Sequence, residues 1–141
     1  MSSIEKLNTV LNDFQKRMDE MKKSMVKEFE GQIKDVFKEV FEAHPDIEKI
    51  AWTQYTPYFN DGDPCVFRVY DIYFLLFSDD EETRYSDLYE WHSSYGDGYP
   101  VIKQLEKMLS SSEDILLMLF GDHCQITVTR DGLDVDEFDH D

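Results

Sequence analysis

Seven apolar residues open this chain on an unbroken alternation of three- and four-residue steps: Ile4, Leu7, Leu11, Phe14, Met18, Met21 and Met25. An α-helix brings residues at that spacing onto one line, and three heptads of it form an a/d seam shaped for another helix. The seam stops there, because its next positions are Glu28 and Gln32. A second register takes over at Val26, Phe29, Ile33, Val36 and Val40, with Phe37 and Phe41 beside it. This stripe is wider and suits a sheet. The slip falls just before Gly31, a weak helix former where a bend is expected. Ser3 is placed to cap the start, and Pro45 ends the run after Ala43 and His44. The spacing thus predicts one long helix, or two in series, over residues 3–43. Its 4–25 stripe either joins subunits or packs on the chain's own body, and the three Met in it make an adaptable surface that favours a partner.

Beyond Pro45 the period becomes strand-like. Ile47–Tyr55 reads as a strand with Ile50 and Trp52 on one face, followed by a 56–64 loop whose Asn60-Asp61-Gly62 supplies the turn. Cys65–Phe77 carries the strongest strand signal. It is apolar on both faces and so expected to be central, with Arg68 and Asp71 at a solvent end or a bulge. Residues 78–99 are acidic and aromatic, with a short helix expected around Tyr85–His92. Pro100 opens a helix to Leu109, and Asp114–Phe120 forms another, ended by Gly121. Gln125–Thr129 and Leu133–Phe138 flank Arg130-Asp131-Gly132 as a hairpin. The expected fold class is α+β: a long N-terminal helix (1–44), then an acidic 45–141 domain with about four mostly antiparallel strands and short helices.

Charge follows the same division. Residues 1–44 hold 8 basic and 9 acidic side chains, a net of −1, whereas residues 45–141 hold 6 and 22, a net of −16. Such a charge repels itself, so it serves either solubility or a partner. Phosphate affinity comes from clustered Lys and Arg, so direct binding of nucleic acid or an anionic membrane is not expected, and a basic protein is. With 14% aromatic residues the chain is a folded protein rather than an acidic tail. MSSIEKLNTV does not read as a secretory leader, no apolar run approaches the ~20 residues of a membrane span, and Cys65 and Cys124 read as reduced thiols. A cytoplasmic location is expected.

No motif brings chemistry with it. A calcium loop counted from Asp61 reaches Asp63 at its third position but Cys65 at its fifth and Ile72 at its twelfth. Cys65, His92, His123, Cys124 and His140 lack zinc spacing, and G-x-S-x-G, Walker and H-E-x-x-H patterns are absent. No catalytic residue, metal or cofactor is expected. Two constellations remain. Trp52, Tyr55, Tyr58 and Phe59 with Asp61 and Asp63 form either an aromatic pocket for a cationic or nucleotide-like ligand, or a hairpin that closes the core. Asp79, Asp80, Glu81 and Glu82, together with Asp131, Asp134, Asp136, Glu137 and Asp139, flank the expected sheet as an acidic face, with Tyr58, Phe59, Tyr85, Trp91 and Tyr95 nearby as anchors.

The block WTQYTPYFNDGDPCVF (Trp52 to Phe67) resembles one found in uncharacterised small acidic proteins of tailed phages and bacteria, and the terminal VTRDGLDVDEFDHD is similar to the ends of some of them. The likeness spans about a quarter of the chain. It implies a phage-related origin and brings no activity or site residues with it. The combined expectation is a non-enzymatic, oligomeric interaction protein whose acidic face inhibits a basic, nucleic-acid-handling host protein, a DNA mimic in effect. The alternatives are a ligand-sequestering module and an assembly protein working through the heptad seam.

Overall fold

A computed structural model describes residues 2–59, 61–93 and 98–140. Asn60, expected in a turn, and Tyr95, expected as an anchor, lie outside the described residues. Helix α1 spans Ser3–Ala43 in one piece and continues through Gly31, where a bend was expected. Its cap is Ser2 rather than Ser3, because only Ser2 has a Glu three residues on. The Ser2 hydroxyl accepts from the Glu5 amide and the Glu5 carboxylate accepts from the Ser2 amide, both at 3.2 Å. The register slip marks the point where α1 meets the body. All of residues 2–25 are exposed, Phe29 meets the Phe120 ring edge-on at 5.8 Å, and Ile33, Phe37, Val40 and Phe41 are buried. Val36, expected in the inward stripe, is 45% exposed. Packing of the 4–25 seam on the chain's own body does not occur.

Strands β1 (Ile47–Tyr55), β2 (Arg68–Leu76), β3 (His92–Ser93), β4 (Cys124–Thr129) and β5 (Gly132–Glu137) form one antiparallel sheet in the order β3-β2-β1-β4-β5. That is five strands rather than about four, the extra one being the two-residue β3. The central strand is β1, not β2. Ile50, Ala51, Trp52, Thr53 and Gln54 are all buried in succession, polar residues included, whereas Cys65 and Val66 are exposed ahead of β2. Asp71 sits where the β1–β2 register shifts, between the pairs Trp52–Ile72 and Gln54–Val69, and Arg68 lies exposed at the strand's start. The 85–92 helix is replaced by α2 (Glu81–Arg84), a 3-10 turn at Leu88–Glu90 and β3. Helices α3 (Pro100–Ser110) and α4 (Glu113–Phe120) complete the order. Gly121 ends α4 at φ +90°, a conformation that favours glycine.

One face of the sheet is closed by α1, α3 and α4 around Ile50, Trp52, Ile72, Phe74 and Ile126. Two polar devices lock it. Gln54, fully buried, accepts from Trp52 Nε1 at 3.2 Å and donates to the Leu116 and Gly121 carbonyls at 3.0 and 2.9 Å, fixing α4 over β1. Arg130, at the β4–β5 turn, donates to the carbonyls of Ile47, Phe41 and Pro45 and lies over the Phe41 and Phe77 rings. The last turn of α1 has no basic residue of its own, so this guanidinium supplies the positive charge favoured at a helix C-terminus. Gln54→Leu strands an indole N–H and two carbonyls, and is expected to lower unfolding stability by about 3 kcal/mol. Urea denaturation measures it, and a loss below ~1 kcal/mol would mean that the network is dispensable.

Candidate functional site

The second face of the sheet is only partly covered. Strand alternation and the observed register place Ala51, Thr53 and Tyr55 of β1, Tyr73 of β2, Gln125 and Thr127 of β4, and Asp134 and Asp136 of β5 on this side. Residues 86–91 cross above it and leave a cavity of about 530 Å³. Thr53, Tyr55, Tyr73 and Gln125 floor the cavity. Asp87, Leu88, Tyr89 and Trp91 wall one side, Phe138 and Asp139 the other, and Tyr70 and Asp71 close the end at the bulge. Among the described residues, three carboxylates and six aromatic rings line it, with no Lys or Arg. Partial burial, and then the charge of Glu106, hold the Asp71 carboxyl above the usual carboxylate range. A positive guest would relieve both effects. Rings and carboxylates together are the chemistry of a site for ammonium or guanidinium.

From the cavity mouth the acid continues along β5. Asp136 lies beside Gln125 and Asp134 beside Thr127, and Asp131, Asp134, Asp136, Glu137 and Asp139 are all exposed. Glu137 alternates to the helix-side face. The other acidic run is separate. Asp79 is partly buried, accepts from the Leu76 amide at 2.7 Å and meets His92 Nε2 at 3.0 Å, which places it structurally at the β2–β3 edge. Asp80 caps α2 through the Thr83 amide, while Glu81 and Glu82 point to solvent. The 79–82 run follows the end of β2 and the 131–139 run extends from the β4–β5 turn along β5, with β1 and β4 between those two strands.

Of the two readings of the Trp52–Phe67 block, the aromatic pocket does not form. Trp52 is fully buried on the helix side, Tyr55 lies on the opposite face, and Phe59, Asp61 and Asp63 are exposed in the connecting loop. An odd spacing on a strand sends the two rings to different faces. Tyr55 and Tyr58 join a different cluster, a stack that runs Tyr70, Tyr55, His140, Tyr58, His123 with centroids 4.2, 3.8, 4.3 and 5.0 Å apart. His123 Nδ1 and His140 Nε2 share one hydrogen bond at 2.6 Å. The stack ties the C-terminal segment to the 55–58 loop at the edge of the cavity. Its members are far apart in sequence, and only the Tyr55–Tyr70 cross-strand contact could have been anticipated from a hairpin register. Leu88, Tyr89 and Trp91 were hidden for a different reason: their segment is irregular.

Asp122 anchors the same loop. Its carboxylate accepts from the Thr56 amide and hydroxyl, each at 2.7 Å, and from the His123 amide at 2.9 Å. Partial burial pushes this carboxyl up, but the Thr56 and His123 hydrogen bonds outweigh it and hold it below the usual range. Next to it, burial and then the Asp122 charge push the Cys124 thiol up to about 11, so this sulfur is protonated at neutral pH and is no nucleophile. Among the described residues, no group of three or more His, Cys, Asp and Glu is placed to hold a metal ion, and no helix is long and apolar enough to cross a membrane. A larger groove of about 650 Å³ between α1 and the β4–β5 hairpin is mainly apolar, with Lys34 and Lys38 on its rim.

No protein-family model, curated protein or solved structure matches the chain at a significant level. The site is therefore read from its own chemistry. Because the folded pKa of Asp122 is depressed, its contribution to stability is present above the unfolded value of about 4 and is lost as pH falls through the folded value. Asp122→Ala is thus expected to be less stable than the parent at pH 7, with the gap closing below about pH 4. Thermal unfolding across pH checks this, and a gap independent of pH would contradict the assignment.

Proposed function

We propose that this chain is a non-enzymatic interaction protein that inhibits a basic, nucleic-acid-handling protein by offering acid and aromatic surface where that protein takes phosphate. One observation supports the reading above the others: a cavity with carboxylates, rings and no cation opens onto an exposed acidic strand. Acids two apart on β5 recur at about 6.6 Å, roughly the rise along the helix axis of two phosphates on one DNA strand at ~3.4 Å each. Strand acids of this kind steer association and set register, while an Arg or Lys of the partner enters the cavity and stacks on Tyr89 or Trp91. Edge protection alone explains one or two charges on β5, not a run that continues into a cavity. The resemblance of the Trp52–Phe67 block to phage proteins supports a target in the host cell, with the host cytoplasm as the proposed location.

The ligand-binding alternative moves with the site. Its pocket is the open-face cavity rather than the Trp52 block, and a cavity without Lys or Arg selects a small cation over a phosphate-bearing nucleotide. Immobilised full chain is expected to retain a basic protein from host lysate at low salt and less of it at moderate salt. Replacing Asp134, Asp136 and Asp139 together by Asn is expected to weaken retention about tenfold, taking ~0.5 kcal/mol per exposed charge. Failure to retain any basic protein at either salt contradicts the proposal. Thermal stabilisation by spermine, with no capture from lysate, would favour the ligand alternative.

A further inference from the structure

We propose that two copies of this chain pair through residues 4–25 of α1 as an antiparallel coiled coil, with Leu7 against the partner's Met25, Leu11 against the partner's Met21 and Phe14 against the partner's Met18. The inference rests on α1 and its junction with the body, and not on the functional reading above. Every residue from 2 to 25 is exposed, and the seven seam residues are exposed by 45–81%. A helical segment of this length is marginal in water without a packed face. The a/d seam specifies another a/d seam as its cover.

Two features of the same segment, and one of the body it carries, select a second copy and the reversed direction. The seam is unequal along its length, with Ile, Leu, Leu and Phe in its first half and three Met in its second. Parallel pairing would stack Phe14 on its own copy and Met on Met. Antiparallel pairing sets each Leu or Phe against an adaptable thioether. Flanking charge acts the same way. The positions beside the seam are Asn8, Gln15 and Lys22 on one side and Val10, Arg17 and Ser24 on the other. A parallel pair places Arg17 against the partner's Lys22 twice. The antiparallel pair leaves one like contact, Arg17 with the partner's Arg17 at the two-fold axis, and each Arg17 is already bridged to Asp13 at 2.9 Å.

The third feature is the body. A parallel dimer would hold two 45–141 bodies of −16 at one end. In the antiparallel dimer, centred at residue 16, the two Phe37 residues stand roughly 63 Å apart at 1.5 Å rise per residue, far beyond the ~8 Å screening length of physiological salt. This register also fits the junction of helix and body. It carries the partner's Ile4, which is 81% exposed, to the shallow groove between α1 and α4 lined by Met25, Phe29, Ile115 and Met118, where Ile115 is itself 52% exposed. The product is a rod with one acidic sheet face at each end, a bivalent presentation of the candidate site.

The test uses the full chain in a Cys65→Ser background, since Cys65 is exposed and Cys124 is buried. Sedimentation is expected to give twice the 16.7 kDa chain mass. Phe14→Glu is expected to halve that mass while leaving the urea unfolding of the body unchanged. Under mild oxidation, a mixture of Leu7→Cys and Met25→Cys chains is expected to form the mixed disulfide dimer, and neither chain alone to cross-link. A single-chain mass throughout the micromolar range, a larger assembly, or efficient cross-linking of Leu7→Cys with itself would each overturn the proposal.

Discussion

Burial of β1 on both faces is the constraint on which the rest of the body depends. On one side Ile50 and Trp52 meet α1, α3 and α4. On the other, Ala51 and Thr53 lie beneath the 86–91 crossing and the neighbouring strands. The enclosed stretch 50–54 holds no charged residue, and a body of −16 places its charge elsewhere. The charge goes to the edges and connections, where several carboxylates satisfy backbone amides left without a strand partner. Glu113 accepts from the Val69 amide at 2.7 Å, Glu106 from Ile72 at 3.1 Å, Asp79 from Leu76 and Asp122 from Thr56. Much of the acidity is therefore part of the fold. What remains exposed, on β5 and around the open-face cavity, is the part with surface to offer a partner.

The same separation explains the two halves of α1. From Ile33 to Phe41 it is a core helix, pinned at its C-terminal end by Arg130 from the far hairpin. From Ser3 to Met25 it stands clear of the body and carries nearly balanced charge. Low net charge allows close approach of a second chain at that end, whereas the body's charge opposes it at the other. The proposed association through the helix and the proposed recognition through the sheet thus occupy regions that do not compete.

The elements with regular periods were legible in the sequence. The 3/4 spacing, its slip at Val26, Pro45, Pro100, Gly121 and the hairpin turn gave α1, α3, α4 and the β4–β5 hairpin nearly to the residue. What periodicity could not convey was which strand is central. β2 has the more apolar sequence, yet β1 is the more enclosed, because buried Gln54 and Thr53 take partners that no local pattern reveals. The acidic run on β5 was legible as charge. The cavity beside it was not, since Leu88, Tyr89 and Trp91 reach it from an irregular segment and Tyr70 from a bulged strand. The Trp52 pocket failed for a simple reason of strand geometry: Trp52 and Tyr55 point to opposite faces.

In the proposed function, recognition belongs to the open face of the sheet. Hydrogen exchange on the full chain, alone and in complex with the basic protein it captures, tests this. Added protection is expected in residues 86–91 and 132–139, at the cavity wall and the acidic strand. Protection confined to residues 3–25, with the sheet face unchanged, would contradict it.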